Sequence, residues 1–118
     1  MPDLRNRRVL IVEDEFFQAD DVADVLTREG AVIVGPCRDA DAALRELDAA
    51  PIDLAVLDIN LGGGPGFTVA DALKARGVPF VFATGYGAAT VPDRFADHAR
   101  YEKPYDPRDL ARLLTELS

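Results

Sequence analysis

Short apolar runs alternate along this chain with longer stretches in which apolar residues recur at helical spacing. The clearest run, residues 54–57, is continuously apolar and is followed by Asp58 and then by the glycine-rich residues 62–66. Such a run is typical of a strand that is buried on both faces in a parallel sheet. The same reasoning predicts strands at residues 7–13, 31–35, 54–57, 78–83 and 100–102.

Helical periodicity fills the intervals between these runs. It predicts helices at residues 16–29, 40–49, 68–76 and 107–117, with Asp39 as the N-cap of the second helix. Gly30 and Gly77 stand where the first and third helices should end. Residues 88–98 hold one or two helical turns at most, because Pro92 can only begin a helix.

Strands and helices thus alternate five times with short connections, which predicts an α/β fold. The expected architecture is a doubly wound, five-stranded parallel (βα)5 sheet whose fourth helix is short or irregular. Residues 1–118 show no linker or internal repeat, so we expect one domain with a core at about residues 7–117.

Composition and charge exclude several classes of partner and indicate where the protein is located. Of 118 residues, 48% are hydrophobic and 29% charged, and the formal net charge is −8, so we expect neither nucleic acid nor a membrane as a partner. The single cysteine, Cys37, excludes an internal disulfide and is expected to be a passive small residue. Residues 9–12 are too few for a signal-peptide core, and no apolar stretch reaches the ~18 residues of a membrane span. We therefore expect a cytoplasmic protein.

Candidate chemistry collects where the predicted strands end. The first strand leads to Glu13 and Asp14, the third to Asp58, the fourth to Thr84, and the fifth to Lys103. These strand ends share one edge of a parallel sheet, which is where ligands bind in such folds. Clustered carboxylates repel one another unless a cation neutralises them, and Mg²⁺ prefers such oxygen ligands.

The predicted magnesium ligands are the carboxylates of Asp14 and Asp58, with Glu13 nearby or acting through water. The backbone carbonyl of Asn60 is the expected further ligand. An Asp58 carboxylate that faces Mg²⁺ and Lys103 is equipped to attack phosphorus and form an acyl phosphate. The Thr84 hydroxyl could then donate a hydrogen bond to a phosphoryl oxygen.

From residue 9 to residue 117 the chain resembles the receiver domains of two-component response regulators. The resemblance rests on the acidic pair Glu13-Asp14, on Asp58 and Thr84, and on Lys103-Pro104, in the family's order and approximate spacing. It implies a flavodoxin-like, CheY-like sheet of order 2-1-3-4-5. It also implies a phospho-accepting signalling domain rather than an enzyme, with Asp58 phosphorylated by a histidine kinase or a phosphotransfer protein in the presence of Mg²⁺.

The resemblance gives two further roles. It implies that Tyr101 is an aromatic switch that turns inward as Thr84 moves, and that Asn60 and Tyr86 tune the lifetime of the phosphoryl group. Residues 82–87, Phe-Ala-Thr-Gly-Tyr-Gly, are similar to the "FAT GUY" subgroup of receivers, as are the residues that follow Asp58. That subgroup is often found as stand-alone domains paired with sensor kinases of the HWE or HisKA2 type.

Other functions use parts of the same pattern. A haloacid-dehalogenase-type phosphatase also has an aspartate nucleophile, but it carries a second aspartate where this chain has Asn60. A flavodoxin-like mononucleotide binder needs a Ser/Thr-rich phosphate loop, and residues 13–15 are acidic instead. A degenerate scaffold would not need the complete set of acids, Thr84 and Lys103. A phosphate sink or relay domain from a hybrid kinase or longer regulator is the alternative within the receiver class.

Overall fold

The structure is a computed structural model in which residues 4–13, 16–58, 67–84, 95, 100–102 and 107–117 are described. In chain order, its strands and helices are β1 (Arg8–Val12), α1 (Phe16–Arg28), β2 (Val32–Cys37), α2 (Ala40–Ala49), β3 (Leu54–Asp58), α3 (Phe67–Ala75), β4 (Phe80–Thr84), β5 (Arg100–Glu102) and α4 (Pro107–Leu117). The short fourth helix predicted at residues 88–98 lies outside the described residues, apart from Phe95, which is buried.

The described strands form one five-stranded sheet in the order β2-β1-β3-β4-β5. Every neighbouring pair is parallel. Parallel neighbours require crossover connections, which α1, α2 and α3 supply between the first four strands, and the described helices pack on both faces of the sheet. The predicted doubly wound, flavodoxin-like fold is confirmed.

Strand alternation divides the core into two layers. In β1, Leu10 and Val12 pack beneath α2 and α3, whereas Val9 and Ile11 pack beneath α1 and α4. All five residues of β3 are buried, as the continuous apolar run predicted. The strand that delivers Asp58 is therefore enclosed by a helical layer on each side.

The helix ends follow the predicted chemistry closely. The Asp39 side chain accepts a hydrogen bond from the Ala42 N–H at 2.8 Å, which confirms Asp39 as the N-cap of α2. Gly30 and Gly77 follow α1 and α3 with φ of +92° and +70°, the left-handed conformation that often ends a helix. The helix bounds differ from prediction by one residue at most.

Two strands differ from prediction by more than one residue at an end, β4 at its start and β2 at its end. Strand β4 begins at Phe80 rather than at residue 78, because Pro79 has no N–H to donate to the ladder. Strand β2 was predicted to stop at Gly35 but continues through Pro36 to Cys37, where it pairs again with Val12 after a bulge. Within the described part of the chain, no helix is long and apolar enough to cross a membrane.

Candidate functional site

The carboxyl ends of four neighbouring strands lie on one edge of the sheet. Val12 of β1 is in register with Leu57 of β3, and Asp58 is in register with Ala83 of β4. Thr84, the last residue of β4, is in register with Glu102, the last residue of β5. The strand ends that carry the candidate chemistry are therefore aligned across the sheet.

Glu13 and Asp58 are buried side by side at this edge. Asp58 is 3% exposed and Glu13 is 4% exposed, and among the described residues these are the charged side chains that are buried. Each follows the Val12–Leu57 pair by one position, and backbones of neighbouring strands lie about 4.8 Å apart. Two carboxylates withdrawn from water at the ends of neighbouring strands favour a cation between or beside them.

A hydrogen bond from the neighbouring edge strand fixes the backbone of Glu13. Its N–H donates to the carbonyl oxygen of Cys37 at 2.9 Å. Glu13 also lines a cavity of about 200 Å³, together with Ala19 and Asp20 of α1 and with Pro36 and Arg38 around the end of β2. This cavity could not be predicted from the sequence, because two of its lining residues, Pro36 and Arg38, lie beyond the predicted end of β2.

Aromatic packing holds the end of β4. Phe82, two residues before Thr84, makes edge-to-face contacts with Phe67 at 6.1 Å and with Phe95 at 5.5 Å between ring centroids. Phe80 packs edge-on against Phe82 at 5.3 Å. Edge-to-face pairs at such distances are favourable beyond their buried area. The cluster ties β4 to the start of α3 and to the connection between β4 and β5.

The predicted site residues divide into three groups. Glu13 and Asp58 are described with their side chains, and both are buried at the ends of neighbouring strands. For Thr84 and Tyr101 the backbone is described: Thr84 ends β4, and Tyr101 pairs with Ala83. The remaining four predicted residues lie outside the described residues: Asp14, Asn60, Tyr86 and Lys103.

The described part of the site fits a hard divalent cation. Glu13 and Asp58 provide carboxylate oxygens, the donors that Mg²⁺ prefers, and both are buried at one sheet edge. In the described residues no group of three or more His, Cys, Asp or Glu side chains that could hold a metal occurs; Asp14, the third predicted carboxylate, lies outside them.

Comparison with known proteins identifies the family. Residues 9–115 match the model of the response regulator receiver domain, from the first strand into the last helix. The chain belongs to the receiver domain family. As a receiver domain it takes part in two-component signal transduction. The match confirms the resemblance to receiver domains that was inferred from the sequence.

Individual receiver proteins support this assignment. The sensory transduction protein RegX3 of Mycobacterium tuberculosis is 38% identical over 108 residues, which cover 86% of this chain and 46% of RegX3. The receiver described here thus spans about half the length of the curated relatives it matches.

Solved structures of similar length are also related. The solution structure of SdrG from Sphingomonas melonis Fr1 has a TM-score of 0.82 and 38% identity, covering 96% of this receiver and 98% of SdrG. The BeF3-activated conformation of SdrG from Pseudomonas melonis Fr1 has a TM-score of 0.78 and 39% identity, covering 99% and 98% of the two chains.

Proposed function

We propose that this receiver domain accepts a phosphoryl group on Asp58 and thereby switches its interactions with other proteins. The observation that carries the proposal is the position of Asp58, buried at the carboxyl end of the enclosed strand β3 and adjacent to the buried Glu13. A helix-capping aspartate would not need a second buried carboxylate beside it. A phosphoacceptor that works with a cation does.

Asp58 supplies the nucleophile in this proposal. One of its carboxylate oxygens attacks the phosphorus of a phosphohistidine, and an O–P bond forms while the P–N bond breaks. The imidazole nitrogen of the donor keeps the electron pair and departs. The product is an aspartyl phosphate on this chain and a dephosphorylated histidine on the donor.

Other residues of the sheet edge prepare Asp58 for this step. Glu13, Asp14, Asp58 and the backbone carbonyl of Asn60 would hold Mg²⁺, which when bound neutralises negative charge on phosphoryl oxygens. Lys103 adds a positive charge on the same oxygens, and Asn60 and Tyr86 tune access of the hydrolytic water to the acyl phosphate. Intrinsic autophosphorylation from small phosphodonors and autodephosphorylation are the only reactions expected of the isolated domain.

Phosphorylation changes the conformation of residues on β4 and β5. The Thr84 hydroxyl donates a hydrogen bond to the new phosphoryl group, and Tyr101 turns inward as Thr84 moves. The register of the described strands supports this route, because Tyr101 lies beside Ala83, the residue before Thr84. The surface around β5 then presents a different shape to a protein partner.

The proposed phosphodonor is a sensor histidine kinase, of the HWE or HisKA2 type, or a phosphotransfer protein. The support is the Phe-Ala-Thr-Gly-Tyr segment at residues 82–86, which is similar to the motif of the FAT GUY subgroup. The chain is also similar to SdrG over nearly the full length of both chains, so a receiver of about this length has a known structural relative.

Intact mass tests the phosphoacceptor directly. The protein is incubated with phosphoramidate with and without Mg²⁺, and we expect a Mg²⁺-dependent gain of about 80 Da, the mass of one phosphoryl group. Asp58→Asn removes the nucleophile and should abolish the gain.

An aspartate just before the same strand offers a matched control. Asp53 lies just before β3 at the opposite edge of the sheet, where its Oδ2 accepts a hydrogen bond from the Arg8 N–H at 2.8 Å. Asp53→Asn keeps an acceptor oxygen there and should be phosphorylated like the wild type. Equal mass gains in wild type and Asp58→Asn would overturn the proposal.

A further inference from the structure

Strand β2 contains one residue more than its partner β1 over the same interval. Leu10 pairs with Val34 and Val12 pairs with Cys37, so that one residue of β1 faces two residues of β2, Gly35 and Pro36. This is a β-bulge, a feature that is rare between parallel strands and often re-aims a segment next to a functional site.

The bulge changes which face of the sheet each residue occupies. Val34 and Cys37 both pack in the core beneath α2 and α3, although residues three apart would lie on opposite faces of a regular strand. Pro36 is left exposed. Because pairing resumes at Cys37, its carbonyl oxygen lies 2.9 Å from the Glu13 nitrogen and accepts the Glu13 N–H.

Only glycine fits the first bulge position. Gly35 has a φ of +100°, a conformation that residues with a Cβ rarely adopt. A Cβ at this position would lie 2.6 Å from the Cys37 nitrogen and 2.9 Å from the Ile11 carbonyl oxygen. Both are backbone atoms, so relieving the clash requires the two strands to shift next to the bond that holds Glu13.

We propose that the Gly35–Pro36 bulge is a positioning element for the magnesium site, which acts by fixing the backbone of Glu13 beside Asp58. The bulge residues supply no ligand to the metal in this proposal. The bulge brings the Cys37 carbonyl within hydrogen-bond distance of the Glu13 N–H. It thereby fixes the backbone position from which the Glu13 side chain extends. The assignment of Glu13 to Mg²⁺ rests on the proposed function.

Mg²⁺ affinity, measured by isothermal titration calorimetry, tests this role in the absence of any phosphodonor. Gly35→Ala should weaken Mg²⁺ binding about tenfold, the usual scale for residues that orient a metal ligand. In an E13Q background the same substitution should have little further effect, because the ligand that it positions has already been altered.

Two other glycines serve as matched controls. Gly30 and Gly77 also have positive φ, +92° and +70°, but both lie at helix ends away from this bulge. Gly30→Ala and Gly77→Ala therefore also place a Cβ at a positive φ but leave the Cys37–Glu13 bond untouched, and their Mg²⁺ affinity should equal that of the wild type. All variants are compared below their thermal unfolding transitions.

The outcomes separate this inference from the proposed function. Wild-type protein that binds no Mg²⁺ overturns both. Wild-type protein that binds Mg²⁺ while Gly35→Ala binds it as tightly as Gly30→Ala overturns the positioning role alone. Where Gly35→Ala does not fold, amide hydrogen exchange of the metal-free wild type decides: the Glu13 amide should be as protected as those of β1. Exchange of that amide at the rate of an unstructured peptide overturns the role.

Discussion

At the scale of single residues, Cys37 shows how burial in the core determines the chemistry of a side chain. The sequence indicated a passive small residue, and the structure places Cys37 in the core, 5% exposed. The pKa of its thiol is raised from the ordinary 9.0 to about 11, mainly by burial and also by the nearby carboxylates of Glu46 and Asp39, whereas Arg45 lowers it. The thiol is therefore neutral and unreactive at physiological pH.

The raised pKa of Cys37 makes stability depend on alkaline pH. The unfolded chain loses the thiol proton near its ordinary pKa of 9.0, whereas the folded protein keeps it until about 11. The contribution of this pKa difference to the free energy of unfolding is fully present below pH 9 and is lost as the pH rises from 9 to 11.

Urea unfolding of wild type and Cys37→Ala at several pH values measures this effect, since other titrating groups cancel in the difference. We expect the wild type to lose stability relative to Cys37→Ala as the pH rises above 9. A difference that stays constant through pH 11 would show that the thiol ionises equally in both states.

The two buried carboxylates are the residues that sequence reasoning located best. Asp58 follows a continuous apolar run and Glu13 follows another, and parallel strands necessarily end at the same edge. The Cys37 carbonyl that holds Glu13 could not be foreseen in this way, because backbone hydrogen bonds between strands leave no trace in side-chain identity.

At the scale of elements, helix α2 shows which boundaries local chemistry can determine. Asp39 has an extended backbone, with φ of −146° and ψ of 170°, and its side chain caps the Ala42 N–H. Both features follow from the preference of Asp for the N-cap. Strand β2 shows the opposite case: Gly35-Pro36 is a typical strand-breaking pair, and only pairing of Cys37 with Val12 carries the strand through it.

The Asp39 cap can be tested by substitution. Asp39→Ala removes the oxygen that accepts the Ala42 N–H, and we expect the free energy of unfolding to fall by about 1 kcal/mol. Asp39→Asn retains a side-chain acceptor and should keep most of that stability. Chemical denaturation measures both variants, and equal losses in the two would mean that the capping bond is not the source of the effect.

At the scale of the whole molecule, the sheet order is what creates the site. Strand β3 lies between β1 and β4, so Asp58 has the end of β1 on one side and the end of β4 on the other. Each of the predicted site residues is unremarkable alone, and phosphoryl chemistry is predicted from their expected convergence on one edge. The alternation of strands and helices was enough to predict that the strands end at a shared edge, because parallel strands connected by crossovers bring alternate loops to the same edge.

The measurement that tests the central claim most directly is chemical mapping of the phosphoryl group. Borohydride reduces an aspartyl phosphate to homoserine, so reduction of the phosphorylated protein, followed by digestion and tandem mass spectrometry, marks the carboxylate that was modified. We expect homoserine in place of Asp58 and unchanged carboxylates at Glu13 and Asp53 in the same sample. Reduction at either of those residues instead, or an unreduced Asp58 in a sample whose intact mass has risen, would contradict the account.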